Sequence, residues 1–168
     1  MIVSAHDGYP RLLKSGADFI EVDIRRDAGG GIVLAHDPVV SGRRYPSYDE
    51  LLEDLPGGVG LHLDLKEQGF EMELMERAPH KVVVTPDFME SSEIIKARFP
   101  HARVSPIDFV TLDQRYANEE NLKRQAKPVW VWTVDDRKLM QRLARDKRIE
   151  AIVTNRPDLA LALRSARC

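Results

Sequence analysis

At 168 residues, with 43% hydrophobic and 31% charged side chains, the chain has the size and composition of one soluble domain around a single core. A net charge of −2 argues against a basic field for nucleic acid or an anionic membrane, and no apolar run nears the roughly 20 residues of a membrane helix. The one cysteine, Cys168, cannot close an internal disulfide; the start Met1–His6 has no basic segment followed by a long apolar stretch, so no signal peptide is expected, and neither is an integral membrane segment, which leaves a cytoplasmic protein as the expectation.

Short apolar runs alternate with helical patterns along the chain. Strands are predicted near 2–6, 18–24, 60–66, 81–86, 102–105, 107–111, 128–134 and 150–154. A short helix over 9–15 is expected to end at Gly16. The turn Asp27-Ala28-Gly29-Gly30-Gly31 makes residues 22–36 a hairpin-like excursion. Ser47 opens a helix with a capping box, Glu50 standing three residues on. Helical periodicity returns over 70–78, 90–99, 118–126, 135–146 and 157–166, the last opened by Pro157 and Asp158. The basic stretch from Arg142 to Arg148 reads as a solvated helix face. Met72, Met75 and Met89 read as core filler.

Strands alternating with helices imply a parallel sheet, and about eight strands fit a compact (β/α)8 TIM barrel of the α/β class. Such barrels typically need about 250 residues, so several helices are expected to be reduced to turns or the barrel to be incomplete. A chain this short is a candidate for homodimerisation to cover exposed faces.

Glu21 and Asp23 stand two apart in the run Phe19-Ile20-Glu21-Val22-Asp23-Ile24 and therefore share one face of a strand. Two acids on the mostly buried side of a strand repel and lose hydration unless a cation, an arginine or a lysine lies between them. A third acid in similar surroundings, Asp64 in Leu61-His62-Leu63-Asp64-Leu65-Lys66, makes a metal the better reading. A salt bridge from Lys66 or Arg25 is the alternative. His6, Glu21, Asp23, Asp64, Lys66, Trp132, Asp135 and Asn155 all fall at or near the C-terminal ends of predicted strands, the rim where such barrels build their active sites. His62 reads as a buried, hydrogen-bonded histidine and Trp130 as core, whereas Trp132 divides between core and substrate wall.

Taken together, these segments resemble the glycerophosphodiester phosphodiesterase family nearly end to end. Ala5-His6-Asp7-Gly8 is similar to the family's opening His-Arg-Gly, with Asp7 where the family has arginine. Gly16-Ala17-Asp18-Phe19-Ile20-Glu21-Val22-Asp23 resembles Gly-Ala-Asp-x-Ile-Glu-x-Asp, and His36-Asp37-Pro38 resembles its His-Asp element. Asp64-Leu65-Lys66 stands where the family has Glu-x-Lys. Trp132-Thr133-Val134-Asp135 is similar to Trp-Thr-Val-Asn, and Ile152-Val153-Thr154-Asn155-Arg156-Pro157 to Ile-x-Thr-Asp-x-Pro. The segment between His6 and Glu21 is shorter than the family's and lacks its Pro-Glu-Asn-Thr motif.

The resemblance implies a TIM barrel, a divalent cation (Mg²⁺ or Ca²⁺) and hydrolysis of a small phosphodiester substrate. By motif, Glu21, Asp23 and Asp64 become metal ligands, His6 and His36 the catalytic pair, Lys66 a phosphate contact and Trp132 an apolar wall beside the alcohol. These residue types suit the chemistry. A hard cation on oxygen ligands offsets the charge of a phosphodiester, and two histidines can divide acid and base work at neutral pH. Two other readings stay open at this point. One is a degenerate barrel that binds a phosphorylated ligand or partner without turnover, and the other a phospholipase D-like transferase that forms a cyclic phosphate.

Overall fold

The computed structural model describes residues 1–165; Cys168 and residue 166, the end of the last expected helix, lie outside that range. Eight parallel strands form one curled sheet: β1 (Ile2–Ala5), β2 (Phe19–Arg26), β4 (Gly60–Leu65), β5 (Val82–Pro86), β6 (Arg103–Val104), β7 (Val110–Asp113), β8 (Val129–Trp132) and β9 (Ile149–Thr154). The ninth strand, β3 (Ile32–Leu34), pairs antiparallel with β2 through the expected glycine turn. The order across the sheet is β6-β5-β4-β2-β1-β9-β8-β7, so the first and last strands of the chain meet in its middle. That is the order of a (β/α)8 barrel opened at one seam, between β6 and β7.

The seam has a local cause. β6 is two residues long and runs into Ser105-Pro106, where a ring replaces an N–H that pairing would need. Phe109, fully buried, turns inward there instead, with the Arg103 guanidinium 5.4 Å from its ring centroid. The seam also moves the strand expected at 107–111 to Val110–Asp113.

Helices α1 (Tyr48–Asp54), α2 (Glu71–Arg77), α3 (Met89–Arg98), α4 (Glu119–Lys123), α5 (Arg137–Arg145) and α6 (Pro157–Ser165) cover the outer face. The Ser47 capping box is complete: Ser47 Oγ accepts from the Glu50 N–H, and Glu50 accepts from the Ser47 N–H. The expected helix at 9–15 does not form. Residues 9–15 make turns, with one α-type bond from the Leu12 N–H to the Gly8 carbonyl, and Pro10 has no N–H to offer. No helix separates β6 from β7 either, and α4 is barely more than one turn, so the shortness of the chain falls on its helices. No described helix is long and apolar enough to cross a membrane.

Strand alternation sorts the two cores. The outward residues Ile20, Val22, Ile24, Leu61, Leu63 and Leu65 pack under Leu51, Leu74, Ile95, Met140 and Leu143 from the helices. Fully burying each such side chain contributes roughly 1.5–3 kcal/mol. The inward residues Ile2, Phe19, Val83, Phe109, Trp130, Ala151 and Val153 plug the N-terminal end of the curl. Trp130 has no exposed surface and donates its indole N–H to Glu150 at 2.7 Å. Gly60 is required here, because a Cβ at that position would lie 2.5 Å from the Phe19 ring. Of the methionines expected inside, Met75 is buried, while Met89, the first residue of α3, is 50% exposed.

Candidate functional site

Register places the acids. On the inward face, β2 and β4 pair Glu21 with His62 and Asp23 with Asp64. Carboxylate oxygens of Glu21, Asp23 and Asp64 consequently lie within 4.8 Å of one another. Glu21 and Asp23 are buried and Asp64 is partly so. Lys66, two residues past Asp64 on the same face, sits between two of them, its Nζ 2.6 Å from Asp64 Oδ2 and 3.1 Å from Asp23 Oδ1. Glu21 has no such partner; it accepts the backbone N–H of Asp7 at 2.9 Å. Asp7 achieves this with φ of 42°, a left-handed conformation that aspartate tolerates better than most side chains.

The electrostatics follow from this packing. Burial, and then the charge of Asp23, hold Glu21 well above the ordinary glutamate range. Burial lifts Asp64 to about 6 even with the Lys66 ammonium beside it. For Lys66, burial works against its charge, but Asp64 and Asp23 outweigh it and keep the amine protonated. One lysine thus leaves the cluster short of positive charge, and its donors are hard oxygens, the set that Mg²⁺ and Ca²⁺ take. The residues present fit such an ion.

His6 follows β1, whose last residue pairs with Thr154 of β9. His6 Nδ1 lies 3.1 Å from Asn155 Oδ1. Asn155 Nδ2 in turn donates to Asp135 Oδ2 at 2.8 Å, and Asp135 Oδ1 accepts from the Asn155 N–H and the Thr154 hydroxyl. A carboxylate only accepts, so the amide nitrogen must face Asp135 and the amide oxygen His6. His6 therefore carries a proton on Nδ1, so that its neutral form has the lone pair on Nε2. Burial opposes the charge of Asp135, but the bonds from Asn155 and Thr154 hold its pKa below the usual aspartate value.

His36 reaches the site from the loop after β3. Its side chain is 74% exposed and bonds Asp37 at 2.9 Å. His62 is buried level with Glu21 and one layer below Asp23 and Asp64, between Ser4 Oγ at 3.1 Å and Thr85 Oγ1 at 3.2 Å. Burial pushes its pKa down to about 3, so it is a neutral packing element, as the sequence suggested.

The seven residues to which the resemblance assigns roles line one cavity of about 260 Å³ at the C-terminal rim: His6, Glu21, Asp23, His36, Asp64, Lys66 and Trp132; Asp135 and Asn155 are not in its lining. Trp132 is 43% exposed and lines the cavity, so it is not a core residue. Thr85, Asp87, Ser105 and Thr111 also line it and were not foreseen. Nor was the pairing of Asp135 with Asn155 foreseen. Its signal was present, since this chain has a carboxylate and then an amide where the family motifs have an amide and then a carboxylate. A broader groove of about 550 Å³ lies around Met1, Pro128 and Arg148 at the other end of the strands, without such a constellation.

No protein-family model matches the chain, and no curated protein matches it. Solved structures do. A phosphodiesterase of Oleispira antarctica, determined with the product sn-glycerol-3-phosphate, superposes with a TM-score of 0.80 at 17% identity over 98% of this chain and 97% of that one. This chain has the fold of the glycerophosphodiester phosphodiesterases. The enzyme from Agrobacterium tumefaciens gives 0.75 at 18% identity over 98% and 99%. One from Parabacteroides distasonis gives 0.75 at 20% identity over 99% and 98%. At these identities the likeness speaks for the architecture, a TIM barrel, and the site must argue for itself.

Proposed function

We propose that this chain is a metal-dependent phosphodiesterase that hydrolyses glycerophosphodiesters to glycerol 3-phosphate and an alcohol. The observation that carries the reading is the convergence of three carboxylates within 4.8 Å of one another with two histidines on one rim cavity. Glu21, Asp23 and Asp64 would hold a Mg²⁺ or Ca²⁺ ion, which when bound neutralises phosphate charge and polarises the ester. Lys66 is the one lysine or arginine among the described residues lining the cavity, and it offers its ammonium to a phosphate oxygen. Asp7 leaves it alone in that task, since an acid stands where the family has arginine.

His6, whose neutral form has its lone pair on Nε2, would take a proton from the attacking hydroxyl or water. His36, exposed and lining the cavity, would return one to the departing alcohol. Trp132 gives that alcohol an apolar wall.

The test is hydrolysis of glycerophosphocholine and bis(p-nitrophenyl) phosphate with Mg²⁺, with Ca²⁺ and with EDTA, beside His36→Ala. Phosphorus NMR of the products separates glycerol 3-phosphate from a cyclic phosphate. Metal-dependent turnover that falls about 10²–10⁴-fold in the variant is expected. A folded protein that turns over neither substrate with either cation would overturn the proposal in favour of a ligand-binding barrel.

A further inference from the structure

Little holds His36 in place. Its ring hydrogen-bonds Asp37, whose side chain is 90% exposed, and is itself 74% exposed, so packing contributes little to its placement. Its position must come from the backbone. The Ala35 N–H bonds the Asp23 carbonyl at 3.0 Å, and beyond it the chain leaves the sheet. The next anchor is the His36 carbonyl itself, which accepts Arg25 Nε at 2.9 Å.

Arg25 lies on the same face of β2 as Glu21 and Asp23, one step nearer the rim. Its side chain is only 15% exposed. While Nε holds His36, Nη1 bonds Glu67 Oε1 at 2.8 Å. The other oxygen of Glu67 accepts the Arg26 N–H at 3.1 Å. Glu67 directly follows Lys66, so this carboxylate ties the end of β4 to the end of β2 and fixes the guanidinium between them. A guanidinium directs its donors along fixed lines, so locking one edge aims the other.

We propose that Arg25, clamped by Glu67, is a positioning residue that sets His36 over the carboxylate cluster. It rests on the phosphodiesterase reading of the site, and it gives the loop after β3 a specific latch. Arg25 touches no reacting atom; it acts through the His36 backbone. Proton transfer is sensitive to misplacement on the scale of 1 Å, so loosening the latch should lower kcat about 10- to 100-fold with little change in KM.

The experiment is a cycle between Arg25→Met and His36→Ala, with Arg25→Lys beside them, read by steady-state kinetics and by NMR amide exchange at residues 35–37. Arg25→Met should lower kcat in the parent protein but have less than about a threefold effect on the residual activity of His36→Ala, because there is no ring left to position. Exchange at residues 35–37 should quicken, while the cation-induced rise in melting temperature stays. Arg25→Lys, which keeps one donor, should fall between the two; it also serves if the methionine variant folds poorly. An equal loss of kcat in both backgrounds would overturn the proposal. So would unchanged exchange at residues 35–37. If the parent protein turns over no substrate, the phosphodiesterase reading fails, and the exchange result alone decides whether the latch exists.

Discussion

Cation binding to the Glu21–Asp23–Asp64 cluster should be linked to pH, and the structure sizes the linkage. Burial raises Asp64 from 3.8 to about 6, and burial with the Asp23 charge raises Glu21 well above 4.5. A carboxyl whose pKa is higher folded than unfolded stabilises the fold while it is protonated. For Asp64 that contribution is complete below its unfolded value of 3.8 and is lost as pH rises through about 6. The metal-free protein should therefore lose stability from these two groups between acidic and neutral pH. A cation reverses the trend because it binds the ionised forms. With a proton held up to about pH 6, apparent cation affinity near pH 5 should be about tenfold weaker than at pH 7 on account of Asp64 alone. Tenfold is about 1.4 kcal/mol, and in a chain of this size it moves Tm by about 3–6 °C. Glu21 adds to the effect in the same direction. The assay is thermal unfolding near pH 5 and pH 7 with EDTA or with excess Mg²⁺ or Ca²⁺, in the parent and in Glu21→Gln. The variant should be more stable than the parent without metal at pH 7, and should lose the cation-induced shift. A shift equal at both pH values, or one that survives Glu21→Gln, would refute the linkage.

Lys66→Met should cost the metal-free protein roughly 3–5 kcal/mol in urea unfolding, because Asp23 and Asp64 lose the ammonium at 3.1 and 2.6 Å; excess cation should restore part of it. His6→Ala should lower kcat about 10²–10⁴-fold while leaving the cation-induced Tm shift intact, since His6 is not among the three carboxylates. Asn155→Ala should turn the single Nδ1-protonated tautomer of His6 into a mixture, visible in nitrogen-15 NMR of the imidazole; an unchanged spectrum would mean that Asn155 does not set it. Trp130→Ala should destabilise by about 3–5 kcal/mol in urea unfolding, by emptying the plug beneath the site and removing the donor to Glu150.

Where one physical rule decided the structure, the sequence was readable. The two-residue period of Glu21 and Asp23 put both on the inner face, and the Ser47 capping box and the glycine turn after Arg26 formed where their local chemistry predicts. Where several weak preferences competed, it was not. Residues 9–15 have helical spacing but too little length to outweigh Pro10 and the pull of Gly8 toward the Glu21 carbonyl. The displacement of β7 depends on Phe109 finding space inside the curl, which no local pattern encodes. Asp135 and Asn155 meet because β8 and β9 are neighbours, and only the exchange of carboxylate and amide between their two motifs hints at a pair. Met89 illustrates the reverse error: hydrophobicity suggested the core, but the start of α3 left it in solvent.

The economy of this chain follows from where its site is anchored. Glu21, Asp23, Asp64 and Lys66 stand on or just beyond two paired strands, so their mutual distances depend on the β2–β4 register and on no helix. His6 depends on the β1–β9 pairing, and His36 on the β2–β3 hairpin with Arg25. Those pairings are contiguous in the sheet, β4-β2-β1-β9, with β3 attached to β2. The seam opens elsewhere, between β6 and β7, which bring only Ser105 and Thr111 to the cavity, neither a metal-ligating acid nor a histidine. A missing helix after β1, or a five-residue one before β8, leaves in place every pairing that carries an acid or histidine of the cavity. A barrel can therefore be trimmed to this length without touching the acid–histidine constellation, provided the trimming stays on the outer layer and on the side of the sheet that the carboxylates do not use.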